Sequence, residues 1–315
     1  YNPLIDVHGV PCCPAKPDFD QLEDGAAMRR DQWNFESHWD RRRVGTKTLR
    51  VTRDFDFVVL GVSIGEIPHV CKEIIARDAR WREMVANVKR VATQAFQVWL
   101  REDMEQLGWT GGPVTLSGFE HPFDTWSDMG HVVPAESGKE PPRSVAYFCS
   151  VLAESHMLRT TDAGYPAARR EDVRRNAIHF LNSHIRHLWP RAVRPSGEFR
   201  WELLCNPLDP SGMSGAERAD QSLFDSQFWA ANVNPTDRFV LAVPGSLKYR
   251  ISPLDNTYDN LTITGDWTES LTANQLRAVI RFRRLMAPTE QEWSQYRSGS
   301  RDWDVRYRQF YEEER

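Results

Sequence analysis

Cysteine is scarce in this chain, and long apolar runs are missing. Its 315 residues include 5 cysteines, an odd and sparse number. A disulfide framework is therefore not expected, and a reducing, cytoplasmic setting is. Cys12 and Cys13 are adjacent and cannot easily bond to each other. Neither has a basic neighbour that would activate its thiol. The longest apolar run, Phe57 to Ile64, is interrupted by Gly61 and Ser63. A membrane helix needs about 20 apolar residues, so no membrane span is expected. No charged-then-apolar leader of the signal-peptide kind opens the sequence. An excess of one charge is absent too, since 40 Lys+Arg face 44 Asp+Glu for a net charge of -4. Nothing in that balance recruits nucleic acid. Two catalytic signatures are also missing: the Gly-x-Ser-x-Gly elbow of hydrolases and the Gly-x-Gly-x-x-Gly dinucleotide fingerprint.

What is present fits a folded globular chain. Hydrophobic residues make up 40% and charged residues 27%. The length allows one large domain or two smaller ones, at about 100–200 residues each. Residues 1–47 carry Pro3, Pro11, Pro14 and Pro17 and little periodicity, so they read as an irregular lead-in. The Val-rich run 55–62 predicts a strand buried on both faces, as in a parallel sheet. Pro68–Ile75 and 77–92 predict helices, the second with Trp81, Met84, Val85 and Val88 at helical spacing. Residues 93–100 alternate polar and apolar, the period of a strand. Further strands are predicted at 114–119, 144–152, 199–204, 238–243 and 260–264. Over 167–189, Val173, Ala177, Phe180, Leu181, Ile185 and Leu188 form one apolar stripe, which predicts a long helix. Pro166 suits its first turn and Pro190 its end. Another helix is predicted from Ala273 to Met286, followed by a charged, aromatic-spaced tail over 288–315. The fold class is therefore α+β, or mixed α/β.

Chemistry concentrates in Tyr258-Asp259-Asn260-Leu261-Thr262-Ile263-Thr264-Gly265-Asp266-Trp267-Thr268, where a strand runs into Gly265. Without a Cβ, a glycine lets the main chain approach a ligand closely. A helix starting beyond it would offer unpaired N–H groups to a pyrophosphate. Asp266 suits either ribose or ribityl hydroxyls, or a helix cap. Local pattern alone is met as well by an ordinary strand-to-helix turn. His184 and His187 share a three-residue spacing that metal sites use, but no acidic partner stands at a suitable offset, so no metal is assigned. Ser155-His156 is a bare dipeptide without positional logic. The 12 tryptophans suit an apolar substrate cavity or a packed core equally.

The stretch Asn260-Leu261, then Gly265-Asp266-Trp267-Thr268, resembles the C-terminal flavin-contacting motif of the flavin-dependent amine oxidase superfamily. That superfamily includes phytoene-desaturase-like and protoporphyrinogen-oxidase-like enzymes. Further blocks resemble a bacterial branch described as FAD- or NAD(P)-binding oxidoreductases. They are Gln227 to Leu241, Val243-Pro244-Gly245-Ser246, Lys248-Tyr249-Arg250, Asp54 to Gly61, Thr93 to Leu100, Phe123 to Met129 and Ala146 to Cys149. The resemblance spans roughly residues 1–287.

It implies a partial FAD-binding domain over 48–66 and 255–287, a substrate domain with a mixed sheet and flanking helices over 67–254, and a tail over 288–315. It also implies FAD as cofactor. Gly265 and Asp266 would lie against the pyrophosphate and ribityl chain, Trp267 and Thr268 near the flavin, and Val51 would give adenine a main-chain contact. The partner implied is a small-molecule substrate oxidised at a C–N or C–C bond, with no catalytic side chain assigned. The absent fingerprint leads to the expectation that an N-terminal Rossmann half belongs to the full-length protein and that this chain is a fragment. Ala273–Arg284 departs from the superfamily pattern at Gln275, Ala278, Arg283 and Arg284. The alternative is a truncated or degenerate non-catalytic binding or interaction module.

Overall fold

The computed structural model describes residues 1–7, 9–14, 16–136, 141–153, 161–206 and 221–269. The predicted helix over 273–286, the tail over 288–315, Ser155-His156 and the departures from Gln275 to Arg284 lie outside these residues. In chain order the elements are β1 (Ile5–Val7), β2 (Val10–Cys12), α1 (Gly25–Arg30), β3 (Val58–Leu60), α2 (Ile67–Val70), α3 (Lys72–Arg77) and α4 (Ala79–Asn87). Then come β4 (Arg90–Val91), β5 (Thr93–Leu100), β6 (Thr115–Glu120), β7 (Phe123–Asp128), β8 (Ser144–Val151), α5 (Tyr165–Ser183), β9 (Phe228–Asn232), β10 (Phe239–Val240) and β11 (Leu261–Ile263). The fold is mixed α+β. No helix among the described residues is long and apolar enough to cross a membrane.

The chain divides into two compact units. One joins Tyr1–Gly45 to Ala92–Arg238; the other joins Thr46–Val91 to the segment from Phe239 onward. The second unit takes in 67–91 and 239–254, stretches that the family resemblance groups with the substrate domain.

The first unit is built on an antiparallel sheet of strand order β6-β7-β8-β5-β9. The alternation over 93–100 becomes β5, with Phe96, Val98 and Leu100 on the core face. The register sets Phe96 opposite Phe148 and Val98 opposite Ala146. Phe96 and Phe148 stack 4.7 Å apart at 8°, and Trp126 and Trp189 pack edge-on at 5.8 Å. Most tryptophans of this unit thus serve its core. Helix α5 lays Val173, Ala177, Phe180 and Leu181 into the same cluster.

One polar side chain crosses that layer. Gln94 is buried, donates to Ser150 Oγ (3.0 Å) and Pro122 O (2.8 Å), and accepts from Asn176 of α5 (2.9 Å). Its hydrogen-bonding groups are satisfied, which makes burial tolerable. The lead-in contains the β1–β2 hairpin, a 3₁₀ turn and α1.

Several elements differ from the sequence pattern: the helix over Pro68–Ile75 is split into α2 and α3, that over 77–92 stops at Asn87 with Arg90–Val91 in β4, and the strand over 238–243 is only Phe239–Val240. The long helix stops at Ser183, and a 3₁₀ turn at Ile185–His187 follows. The tighter winding carries Ile185, Leu188 and Trp189 into the core. Residues 199–204 form no strand; a 3₁₀ turn at Trp201–Leu203 buries Trp201, Leu203 and Leu204 together, which an alternating strand would not do. The Val-rich run yields only β3, pairing in parallel with β11 as its composition suggests. Val58 and Val59 are nonetheless 37% and 51% exposed, because no further strand flanks β3 among the described residues.

Phe148→Ala removes a ring that touches Phe96, Trp126, Phe180 and Trp189. It should cost about 3–5 kcal/mol. Urea unfolding followed by near-UV circular dichroism measures this, and a loss below about 1 kcal/mol would contradict the packing described.

Candidate functional site

The second unit assembles its site from two distant segments. In a parallel pair both carboxyl ends lie on the same side, so the exits of β3 and β11 come together. Thr264 N donates to Leu60 O at 3.0 Å, and a Cβ on Gly61 would sit 3.4 Å from Thr264 Cγ2. Outside the carboxyl ends of parallel strands is where open α/β sheets bind ligands.

A turn over Gly265–Glu269 closes this end. Thr268 Oγ1 and Thr268 N both donate to Gly265 O, at 2.8 and 3.2 Å. Glu269 N donates to Ile251 O at 3.1 Å. Trp267 Nε1 donates to Val62 O at 3.0 Å, tying the turn to the exit of β3. The indole lies 6.5 Å from the Trp81 ring and belongs to a buried cluster with Ile64, Ile67, Met84, Val88, Val240, Ile251 and Ile263.

The sequence-predicted residues take different places. Gly265–Thr268 form one turn. Asp266 is exposed. Trp267 and Thr268 are fully buried, so their side chains face the core. Gly265 has φ +150°, and a Cβ there would stand 2.5 Å from Trp267 Nε1. Trp267's own ring therefore fills the space that the glycine leaves. Val51 is half exposed and bridges Phe55 in a local bend.

For an FAD these residues fit in part. Asp266 is exposed and Gly265 half buried, so these two are open to solvent, whereas Trp267 and Thr268 are buried whole. One orphan polar atom supports the location: Thr264 Oγ1 is buried with no hydrogen-bond partner.

Arg250 gave no signal in the sequence beyond its place in a family-like block. Its guanidinium is buried, and it donates to Asp266 O, Thr268 O and Leu241 O. Burial disfavours its charged form, and the nearby Asp266 carboxylate opposes that.

A cavity of about 510 Å³ lies beside this segment, lined by Arg80, Glu83, Lys248, Tyr249, Arg250 and Asp255 among others. Its polar frame starts at the first turn of α4. Asp78 caps that helix by accepting from Arg80 N at 2.8 Å. The Arg80 guanidinium joins Asp78 (2.8 Å), Asp255 (3.0 Å) and Thr257 (2.8 Å). Hydrogen bonds from Arg80 hold the Asp78 carboxyl below its usual range. For Asp255, burial pushes upward, but the hydrogen bonds from Arg80 and Thr257 outweigh it.

In the first unit, the sheet face opposite the core carries the half-buried Gln97, Trp99, Tyr147 and Cys149. Trp99 Nε1 donates to Glu136 at 2.9 Å. Burial raises the pKa of Tyr147 and of the Cys149 thiol, so both keep their protons near neutral pH. Cys149 is thus no activated nucleophile. The rings of His179 and His184 lie 5.6 Å apart. His187 falls in the 3₁₀ turn, off the regular helix. Burial lowers the pKa of His184. Among the described residues no group of three His, Cys, Asp or Glu is arranged to hold a metal.

No protein-family profile matches the chain. No curated protein matches it either. Among solved structures, a crystal structure of an oxidoreductase from Methanosarcina mazei is similar over 72% of this chain, with 10% identity and a TM-score of 0.41. The chain spans 43% of the length of that protein. At this level of similarity neither fold nor activity is carried across.

Gly265→Ala should cost about 1–3 kcal/mol, because the new Cβ overlaps the Trp267 indole. Thermal or urea unfolding measures the loss, and unchanged stability would contradict the packing. Acid sensitivity is a second outcome. Asp78 and Asp255 have lowered folded pKa values, so their stabilisation is present above about pH 4 and is lost as pH falls further. Arg80→Ala should flatten the acid limb of a melting-temperature profile. An unchanged acid slope in that variant would show the ion pairs to be inert.

Proposed function

We propose that this chain forms part of an FAD-dependent oxidoreductase of the amine oxidase kind, acting on a C–N or C–C bond of a small substrate. The observation that carries the reading is the parallel β3–β11 pair, whose carboxyl end is closed by the Gly265-Asp266-Trp267-Thr268 turn. Resemblance to the flavin-contacting motif supports it, and so does the general place of nucleotide ligands in parallel sheets. When bound, the isoalloxazine supplies the redox chemistry, taking up a hydride equivalent and passing electrons to an acceptor.

The chain's own contributions are binding and orientation. The exposed Asp266 carboxylate accepts hydrogen bonds from ribityl or ribose hydroxyls, and the turn's main chain meets phosphate. Val51 meets adenine through its main chain. Gln97, Trp99 and Tyr147 offer a mixed apolar and hydrogen-bonding surface for substrate. The sequence contains no Gly-x-Gly-x-x-Gly cradle, so the flavin reading requires residues outside this chain to complete the pyrophosphate site.

A specific observation favours a second reading. Trp267 fills the space beside Gly265, as an ordinary structural turn would require. On that reading the chain is a non-catalytic binding module and ignores flavin.

Titration with FAD separates the two. The flavin reading expects a saturable change in flavin absorbance or fluorescence below about 1 mM, the weak-binding regime of an incomplete site. Asp266→Ala should weaken that binding while leaving the fold intact. No spectral response up to that concentration would overturn the flavin reading.

A further inference from the structure

The cavity beside the 248–255 segment takes no part in the flavin reading, because α4 and that segment line it rather than the exits of β3 and β11. Both walls belong to the second unit. Its volume of about 510 Å³ is that of a small-molecule site.

The two walls differ in how their charges are matched. On the α4 side, Arg80 is bound to Asp78, Asp255 and Thr257, so that cluster is closed on itself. Glu83 accepts from Asn87 Nδ2 at 3.1 Å. The other wall carries two cations, Lys248 and Arg250, and among the described residues no carboxylate is bonded to either. Lys248 is exposed, with Nζ 4.9 Å from the centre of the Tyr249 ring. Arg250 is 5% exposed, donates to the carbonyls of Asp266, Thr268 and Leu241, and keeps a buried Nε without a partner. An arginine does not shed its charge. Carbonyls alone leave the desolvation of a buried cation without an opposite charge to offset it. Two neutral donors stand on the same wall. Ser252 Oγ accepts from Leu254 N at 3.3 Å, which leaves its own proton to donate. Tyr249 adds a phenolic hydroxyl.

We propose that this cavity is an anion site: Lys248 meets the oxygens of a carboxylate or phosphate on a small ligand, Tyr249 and Ser252 donate to them, and the buried Arg250 supplies the countercharge behind them. Lys248 acts by contact, whereas Arg250, being buried, acts through its field. The proposal stands apart from the flavin reading and survives its failure.

The test titrates the chain with sodium phosphate and, separately, with sodium acetate, at constant ionic strength and neutral pH. Amide shifts of residues 79–83 and 248–252 are followed by ¹⁵N NMR. At least one probe should give saturable shifts there, with Kd below about 10 mM. Lys248→Ala should weaken that binding at least about fivefold. Lys72→Ala, a lysine of the same unit outside the cavity, should change it by no more than about twofold. Glu83→Gln removes a carboxylate from the lining and should tighten it roughly twofold or more. All three substitutions change exposed side chains, so the fold is kept. A response to phosphate alone marks the ligand as a phosphate ester, and a response to acetate alone marks a carboxylate; either upholds the site. Shifts that do not saturate, or equal losses in Lys248→Ala and Lys72→Ala, mean an adventitious ion only and overturn it. Weaker binding in Glu83→Gln overturns the anion assignment.

Discussion

The second unit depends on the hydrogen bond from Trp267 Nε1 to Val62 O, which joins residues far apart in the chain. Two three-residue strands in parallel make a weak ladder, and closing so long a loop carries an entropic cost. What offsets it is the buried cluster around the indole, reaching from Ile64 and Ile67 to Trp81, Met84, Ile251 and Ile263. Gly265 is part of the same arrangement. Only a residue without a Cβ leaves room for the ring at that angle. The corner that the flavin reading needs is therefore first a packing device. What packing leaves open at this corner is Asp266, with Gly265 half buried beside it.

The first unit shows the reverse balance. Its aromatic core is complete within itself, with Phe96, Phe148, Trp126, Phe180 and Trp189 in mutual contact. Stability lives on one face of the sheet. The other face keeps Gln97, Trp99, Tyr147 and Cys149 half buried, with hydrogen-bonding groups that the core does not consume. Burial keeps Tyr147 and Cys149 protonated, so this face suits recognition rather than nucleophilic attack.

Legibility followed periodicity. Strand β5 was readable because its alternation spans eight residues and one face must be apolar. The start of α5 was readable from Pro166 and its stripe; its end was not, because a 3₁₀ turn keeps an apolar residue inward at nearly the helical spacing. The run at 55–62 showed its parallel partner type but not its exposure, since burial depends on neighbours that a strand's own residues do not encode. For the site, the turn at Gly265 was visible as a missing Cβ. Sequence could not say what occupies the space, and the occupant is Trp267 two residues on. Arg250 was hidden for a related reason: a buried arginine that serves carbonyls leaves no acidic partner in the sequence pattern to betray it.

The central claim is that the carboxyl end of the β3–β11 pair is a nucleotide surface. Amide-resolved NMR of the chain with added FAD tests it most directly. The account predicts chemical-shift changes clustered at residues 61–66 and 264–268. Perturbations confined to other regions, or none at all, would contradict it.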